Sequence, residues 1–336
     1  MTIHDVAERA GVSVATVSRV FNDKGPIREA TYQRVLAVAE RMRYVPHAAA
    51  RSLSTRKTST IGVVLPELHG EFFSEVIRGI DVSARSLGLH LIVSGSHSDR
   101  EEMSAVLRAV RGRVDGLIVM SPDLDATTLL RDLPDYVPVV VLNALVEGRP
   151  SITIDNAGGA RAVVRHLAAL GHRRIAFAGG PENNGDAVQR RRGYRAGMRA
   201  AGAEIESSLE LSGNFTEDSG YDAAKKIAGR SQRPTAMFAA NDAMAIGALS
   251  AFNETGMRVP DDIALVGFDD IPIARFLSPP LTSVKVPIAD LGRRSLDLLL
   301  DTSKTKRSET LKTSLMVRQS CGAGRTRTRQ NEKGDS

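Results

Sequence analysis

From Thr60 onward, apolar runs of strand length alternate with longer amphipathic stretches, and this alternation constrains the chain more than any other feature. The strand candidates are Ile61–Leu65, Leu89–Val93, Gly116–Met120, Val137–Leu142, Ile152–Ile154, Ile175–Ala178, Ala236–Ala239, Ile263–Gly267 and Ser283–Val286. Helical patterns lie between most of them, among them Glu71–Leu87, Gly158–Leu170, Arg190–Ala201 and Asp242–Thr255. A strand followed by a helix and another strand makes a parallel pair, so the expected fold class is α/β, with parallel sheets covered by helices on both faces. Nine strands over about 230 residues are many for one sheet and natural for two.

The first 59 residues have a different texture. Thr2 is a good N-cap for a helix burying Ile3, Val6, Ala7 and Ala10, and Gly11 ends it. Ser13 caps a second helix with Val17, Val20 and Phe21 on one face. Asn22-Asp23-Lys24-Gly25-Pro26 reads as a loop. A third helix carries Tyr32, Val35, Leu36, Ala39 and Met42, and Pro46 interrupts it. His47 to Leu53 reads as a short alanine-rich helix, followed by a polar linker. Two short helices joined through Ala10-Gly11-Val12-Ser13 form a helix-turn-helix pattern, whose second helix enters the DNA major groove. Val14, Ala15, Thr16, Ser18 and Arg19 are the positions expected to face outward there. Arg19 can pair with guanine, Val14 and Ala15 suit thymine methyls, and Ser13, Thr16 and Ser18 can hold phosphates.

Charge agrees. The chain carries 45 basic and 39 acidic residues, a formal +6, and Met1 to Leu65 holds ten basic against five acidic residues, so nearly all the excess is at this end. A single cysteine, Cys321, allows no disulfide within the chain and no cysteine-based metal site, which fits a reducing cytoplasm. The opening Met-Thr-Ile-His-Asp has no signal-peptide character, and no apolar run approaches the roughly 18 residues that span a bilayer. A cytoplasmic protein without membrane contact is expected.

Thr2-Ile3-His4-Asp5-Val6-Ala7-Glu8-Arg9-Ala10-Gly11-Val12-Ser13-Val14-Ala15-Thr16-Val17-Ser18-Arg19-Val20-Phe21-Asn22 resembles the N-terminal signature of the LacI/GalR family of repressors, as does Arg43-Tyr44-Val45-Pro46-His47-Ala48-Ala49-Ala50-Arg51-Ser52-Leu53. The resemblance runs to about Arg318. It implies a DNA-reading set of Thr2, Ser13, Val14, Ala15, Thr16, Ser18, Arg19, Asn22, His47, Ala50 and Leu53. Leu53 matches the leucine that wedges into the minor groove at the operator centre, and Ala50 matches the small residue where two hinge helices cross. The implied target is a near-palindromic double-stranded operator with a central CG step, bound by a homodimer. The implied organisation is a helix-turn-helix domain (1–46), a hinge helix and linker (47–59), and a periplasmic-binding-protein-like sensor of two lobes. One lobe takes 60–156 and 287–312, the other 157–286 and 313–321. The stretch 322–336 is expected to be a disordered basic tail; it has no leucine heptads and so no coiled-coil seam.

The resemblance also implies a ligand set between the lobes. Gln189-Arg190-Arg191-Arg192-Gly193-Tyr194 matches the Arg-x-x-Gly-aromatic motif and assigns Arg190 to the ligand. Ala239-Ala240-Asn241-Asp242 assigns Asn241, with Asp242 as the cap of the following helix. Val266-Gly267-Phe268-Asp269-Asp270 assigns Asp269. Phe215 matches an aromatic that stacks on the ligand ring, and Phe72 and Phe73 match positions that close over it. Asn143 stands where many sugar-responsive members carry aspartate, and the loop Glu67-Leu68-His69-Gly70-Glu71 lacks the family's usual Asn-Pro pair, so no particular sugar is implied. The polar members are expected at or just beyond strand carboxyl ends, where open α/β sheets place ligands.

The leading reading is thus a repressor controlled by a saccharide. The alternative keeps the regulator and makes the ligand a nucleoside, a purine or a sugar phosphate, acting as co-repressor. No cofactor or metal is expected: the histidines lack metal spacing, no Gly-x-Ser-x-Gly motif occurs, and Gly158-Gly159 and Gly179-Gly180 lack the lysine of a phosphate loop. Enzymatic activity is not expected. A transport-binding protein is disfavoured by the DNA-reading segment.

Overall fold

The computed structural model describes residues 1–22, 26–44, 57–301 and 307–323. Three helices open the chain: α1 (Ile3–Ala10), α2 (Val14–Asn22) and α3 (Glu29–Arg41). Thr2 and Asp5 form a reciprocal box at the start of α1: the Thr2 N–H donates to the Asp5 carboxylate at 2.7 Å, and the Asp5 N–H donates to Thr2 Oγ1 at 3.4 Å. Gly11 ends α1 at φ 63°, a left-handed conformation that glycine adopts without a Cβ penalty. The three helices share a small core of Val6, Ala7, Ala10, Val17, Val20, Val35, Ala39 and Met42. Ile3, Phe21, Tyr32 and Leu36 pack half-buried against it.

Two sheets follow. The strands β1 (Thr60–Leu65), β2 (His90–Gly95), β3 (Gly116–Met120), β4 (Val139–Leu142) and β5 (Ser151–Ile154) form the first, and all are parallel. The strands β6 (Ile175–Ala178), β7 (Glu210–Leu211), β8 (Ala236–Ala239), β9 (Ala264–Asp269) and β10 (Thr282–Lys285) form the second, again parallel. The chain then returns to both. β11 (Ser308–Leu311) extends the first sheet beside β5, and β12 (Ser314–Met316) joins the second antiparallel to β10. The polypeptide therefore passes between the sheets after β5, after β10 and between β11 and β12. β3 and β4 are buried along their whole length, as strands covered on both faces are.

Eight helices cover the sheets among the described residues: α4 (Glu71–Ser86), α5 (Arg100–Val110), α6 (Ala126–Asp132), α7 (Asn156–Ala169), α8 (Gly185–Ala200), α9 (Glu217–Ala228), α10 (Asp242–Glu254) and α11 (Ile288–Leu300). Close helix pairs meet at glycines. A Cβ on Gly79 of α4 would lie 2.0 Å from the Ala289 carbonyl of α11, and one on Gly247 of α10 would lie 1.8 Å from the Glu217 carbonyl of α9.

The periodicity left three strands unseen: β7, β11 and β12. Each is short and half-exposed, so none carries the apolar run that marks a buried strand. Other boundaries moved for local reasons. β4 starts at Val139, since Pro138 has no N–H to give the ladder. β9 runs on to Asp269 because Gly267, Phe268 and Asp269 pair with Ser283, Val284 and Lys285. α8 begins at Gly185, five residues before the expected start, where the Asn184 side chain caps it by accepting the Ala187 N–H at 3.1 Å.

Candidate functional site

In the helical domain, the start of α2 is set by Ser13, whose Oγ accepts the Thr16 N–H at 3.2 Å and lies 2.9 Å from Thr16 Oγ1. Ala15 and Arg19 are exposed on α2. Val14, Thr16 and Ser18, expected to be outward-facing, are half-buried, and Val14 packs against the small core. Thr2 is exposed at the start of α1, and Asn22 is the last residue of α2. Arg9, Arg19, Arg28, Arg34, Arg41 and Arg43 are all exposed, which gives this domain a basic surface. His47, Ala50 and Leu53 lie outside the described residues.

The second candidate site is a cavity of about 560 Å³ between the carboxyl ends of the two sheets. Phe72, Phe73, Asn143, Arg190, Phe215, Asn241 and Asp269 all line it. Phe72 and Phe73 sit in the first turn of α4, ring edge to face at 5.5 Å. Asn143 follows β4, Asn241 follows β8 by two residues, and Asp269 is the last residue of β9. Arg190 departs from the strand-end expectation: it projects from the second turn of α8.

Arg190 is almost wholly enclosed, at 3 % exposed. Its Nε donates to Asn156 Oδ1 at 2.8 Å, Nη1 to the Ala240 carbonyl at 2.6 Å, and Nη2 to Asp269 Oδ1 at 3.1 Å. Its guanidinium lies 3.9 Å from the Phe268 ring centroid and 5.5 Å from that of Phe215. A planar guanidinium that donates from all three nitrogens and lies close to two aromatic rings has little freedom left. Asp269, also buried, has its pKa pushed up to about 6 by burial, with Arg190 opposing the rise and Asp186 adding to it.

Asn241, which lines the cavity, also makes two hydrogen bonds within the protein. Its Oδ1 caps α10 by accepting the Met244 N–H at 2.9 Å, and its Nδ2 donates to the Phe215 carbonyl at 2.9 Å. It thus ties the Phe215 loop to a helix start. Asp242 is not the cap of α10 that the sequence suggested. Asn241 takes that role, and the Asp242 carboxylate, fully buried, accepts the Ile271 N–H at 2.9 Å and the Ser283 hydroxyl at 2.6 Å. It holds the turn that follows Asp269, and burial together with Asp269 keeps its pKa well above the ordinary carboxylate range.

Asn143, Phe215, Asp269 and Asp270 have φ of 59°, 69°, 109° and 54°. Side chains rarely adopt this region, and such residues collect at ligand sites held by their surroundings.

Sequence reasoning missed the residue at the centre of the polar network. Asp186, in the first turn of α8, accepts the Asn143 Nδ2–H on one oxygen and the Asn156 Nδ2–H on the other, both at 2.7 Å. Burial raises its pKa, against the pull of Arg190 and the two amides. The available signal was its spacing, four residues before Arg190, which puts both on one helix face. Asn184 Nδ2 donates to Asp123 at 2.8 Å, and the Ile273 N–H donates to Glu71 at 3.1 Å. With Asn143–Asp186, these contacts join the two sheets' sides across the cavity.

Comparison with known proteins places these features together. Residues 2–47 match the model described as bacterial regulatory proteins, lacI family, and residues 164–321 match a periplasmic binding protein-like domain. Catabolite control protein A of Priestia megaterium is 35 % identical over 324 residues, covering 94 % of this chain and 96 % of that protein. The ribose operon repressor of Escherichia coli K12 is 36 % identical over 305 residues, covering 89 % and 92 %. Among solved structures, the lac repressor dimer bound to operator and an anti-inducer superposes with TM-score 0.86 at 33 % identity, covering 96 % of this chain and 99 % of that one. A regulator, CelR, in complex with cellobiose gives 0.71 at 33 % identity, covering 95 % and 99 %.

Proposed function

This chain belongs to the lacI family of bacterial regulatory proteins and is a DNA-binding transcriptional regulator, and on that premise we propose that it is a repressor whose hold on its operator is set by a small saccharide in the cleft between the two sheets. The observation that carries the effector part is the convergence of Arg190, Asp269, Asn143, Phe215, Phe72 and Phe73 on one cavity of about 560 Å³. Charged and amide groups orient hydroxyls, while the aromatic faces take the apolar side of a sugar ring. Two of the similar proteins point the same way: one is named a ribose operon repressor, and another was solved with cellobiose.

In the DNA-binding part, Arg19 and Ala15 on the exposed face of α2 meet base edges, with Val14 beside them and Ser13, Thr16, Ser18 and Thr2 at the backbone. Asn22, His47 and Ala50 complete the contact, and Leu53 wedges into the operator centre. The working form is a homodimer on a near-palindrome; the lac repressor was solved as a dimer bound to operator. A ligand that changes the set of the lobes changes the hinge spacing and so the operator affinity. The protein acts in the cytoplasm and performs no chemistry on its ligand.

Asp269→Ala tests the assignment. It is expected to leave operator binding intact and to abolish the response to saccharide. A variant that responds at the wild-type ligand concentration would refute the placement of the site.

A further inference from the structure

We propose that the cleft accepts an uncharged, hydroxyl-bearing ring and rejects a phosphorylated one, and that Asp186 sets this choice by fixing Asn143 as a hydrogen-bond acceptor toward the ligand. This rests on the cleft being the effector site.

The balance of charge is the first support. Six carboxylates line the cavity: Glu67, Glu71, Asp123, Asp186, Glu217 and Asp269. Arg190 is the only guanidinium or ammonium among the lining residues, with His69 the one other basic side chain. Three of the five Arg190 N–H groups already donate, to Asn156, Ala240 and Asp269. Phosphate sites are built from arginine or lysine clusters or from open helix N-termini. Three of the four helix starts at this cleft carry a side-chain cap; the start of α4, after Gly70, has none. α8, α9 and α10 are capped by Asn184, Thr216 and Asn241, each accepting a first-turn N–H. All four helices that begin here, α4 included, already carry a carboxylate in the first turn: Glu71, Asp186, Glu217 and Asp242.

The second support is Asn143. Its Nδ2 is committed to Asp186, which is in turn braced by Asn156. Its Oδ1 is left buried without a hydrogen-bond partner, in a residue only 8 % exposed that lines the cavity. A buried acceptor is completed by a donor, and a ligand O–H or N–H supplies one. A phosphate dianion offers acceptors only. Held near Asp186 and Asp269, it would meet like charge in a place where water screens poorly.

The test uses the full chain and matched pairs in isothermal titration: D-ribose with D-ribose 5-phosphate, D-glucose with D-glucose 6-phosphate, and adenosine with adenosine 5′-monophosphate. At least one uncharged member is expected to bind, with its phosphate weaker by about a hundredfold or more. In Asp186→Asn the residue can donate instead, so Asn143 is free to turn its own donor toward the ligand. That variant is expected to bind the uncharged member about tenfold more weakly and to narrow the gap within the pair. Its melting curve reports folding separately, and the wild-type pairs need no variant. A phosphate that binds as tightly as its parent, or an Asp186→Asn protein with unchanged preference, would overturn the proposal and leave the cleft as the effector site. Absence of binding by all six, with operator affinity unmoved by any of them, would overturn the reading of the cleft as well.

Discussion

Arg190→Met isolates the electrostatic logic of the cleft. The substitution keeps the bulk that packs on Phe268 and removes the positive charge between Asp269 and Asp186. Breaking a buried pair by removing one partner strands the other charge, and the expected cost is about 3–5 kcal/mol of stability at pH 8. The sign of the pH dependence follows from Asp269. Its folded pKa of about 6 lies above the ordinary 3.8, so its contribution to stability is fully present below 3.8 and is lost as pH rises through 6. Without Arg190 that pKa rises further, and the loss continues above pH 6. The variant should therefore fall further behind the wild type as pH rises, by on the order of 2 kcal/mol between pH 5 and pH 8. Urea unfolding followed by circular dichroism at the two pH values reads this. Asp269→Asn added to Arg190→Met should restore much of the loss at pH 8, because no stranded charge then remains at that position. A loss that is larger at pH 5, or below about 1 kcal/mol at pH 8, would refute the reasoning.

Three further outcomes are expected. Thr2→Ala removes the cap of α1 and should weaken that helix by about 1 kcal/mol, seen as roughly fivefold faster amide exchange in Ile3–Ala10. Gly247→Ala puts a methyl 1.8 Å from the Glu217 carbonyl and should cost about 1–3 kcal/mol, whereas Gly229→Ala, whose nearest neighbour lies at 3.6 Å, should be close to neutral; melting temperatures of the two variants decide. Leu53→Ala should weaken binding to the operator while sparing nonspecific DNA, and an equal loss on both at fixed salt would count against the wedge.

The parts legible in the sequence were those where one residue type has one physical job. Thr2, Gly11 and Ser13 punctuate the first two helices because capping and left-handed turns admit few alternatives, and all three do what their chemistry suggested. The runs that became β3, β4 and β6 were visible because a strand buried on both faces is apolar throughout. Arg190 and Asp269 were named from their motifs and Asn143 from its matched position, and they meet in one cavity. What stayed hidden were residues with two jobs. Asn184 and Asn241 cap helices, and only the fold shows that one also reaches Asp123 and the other, expected at the ligand, the Phe215 carbonyl. Asp186 reads as an acidic residue suited to a helix start. Its burial, and its grip on Asn143 and Asn156, depend on residues 30 and 43 positions away. Asp242 was misassigned for the same reason: its partners, Ile271 and Ser283, are brought to it by a separate strand.

The central claim, that a ligand in the cleft governs the grip on DNA, is tested most directly by fluorescence anisotropy on a palindrome with a central CG step, at fixed salt, with and without a panel of mono- and disaccharides. The expected result is tight, sequence-dependent binding that one saccharide relieves in wild-type protein and fails to relieve in Asp269→Ala. Binding that no saccharide alters, or that does not distinguish the palindrome from unrelated DNA at the same salt, would contradict the account.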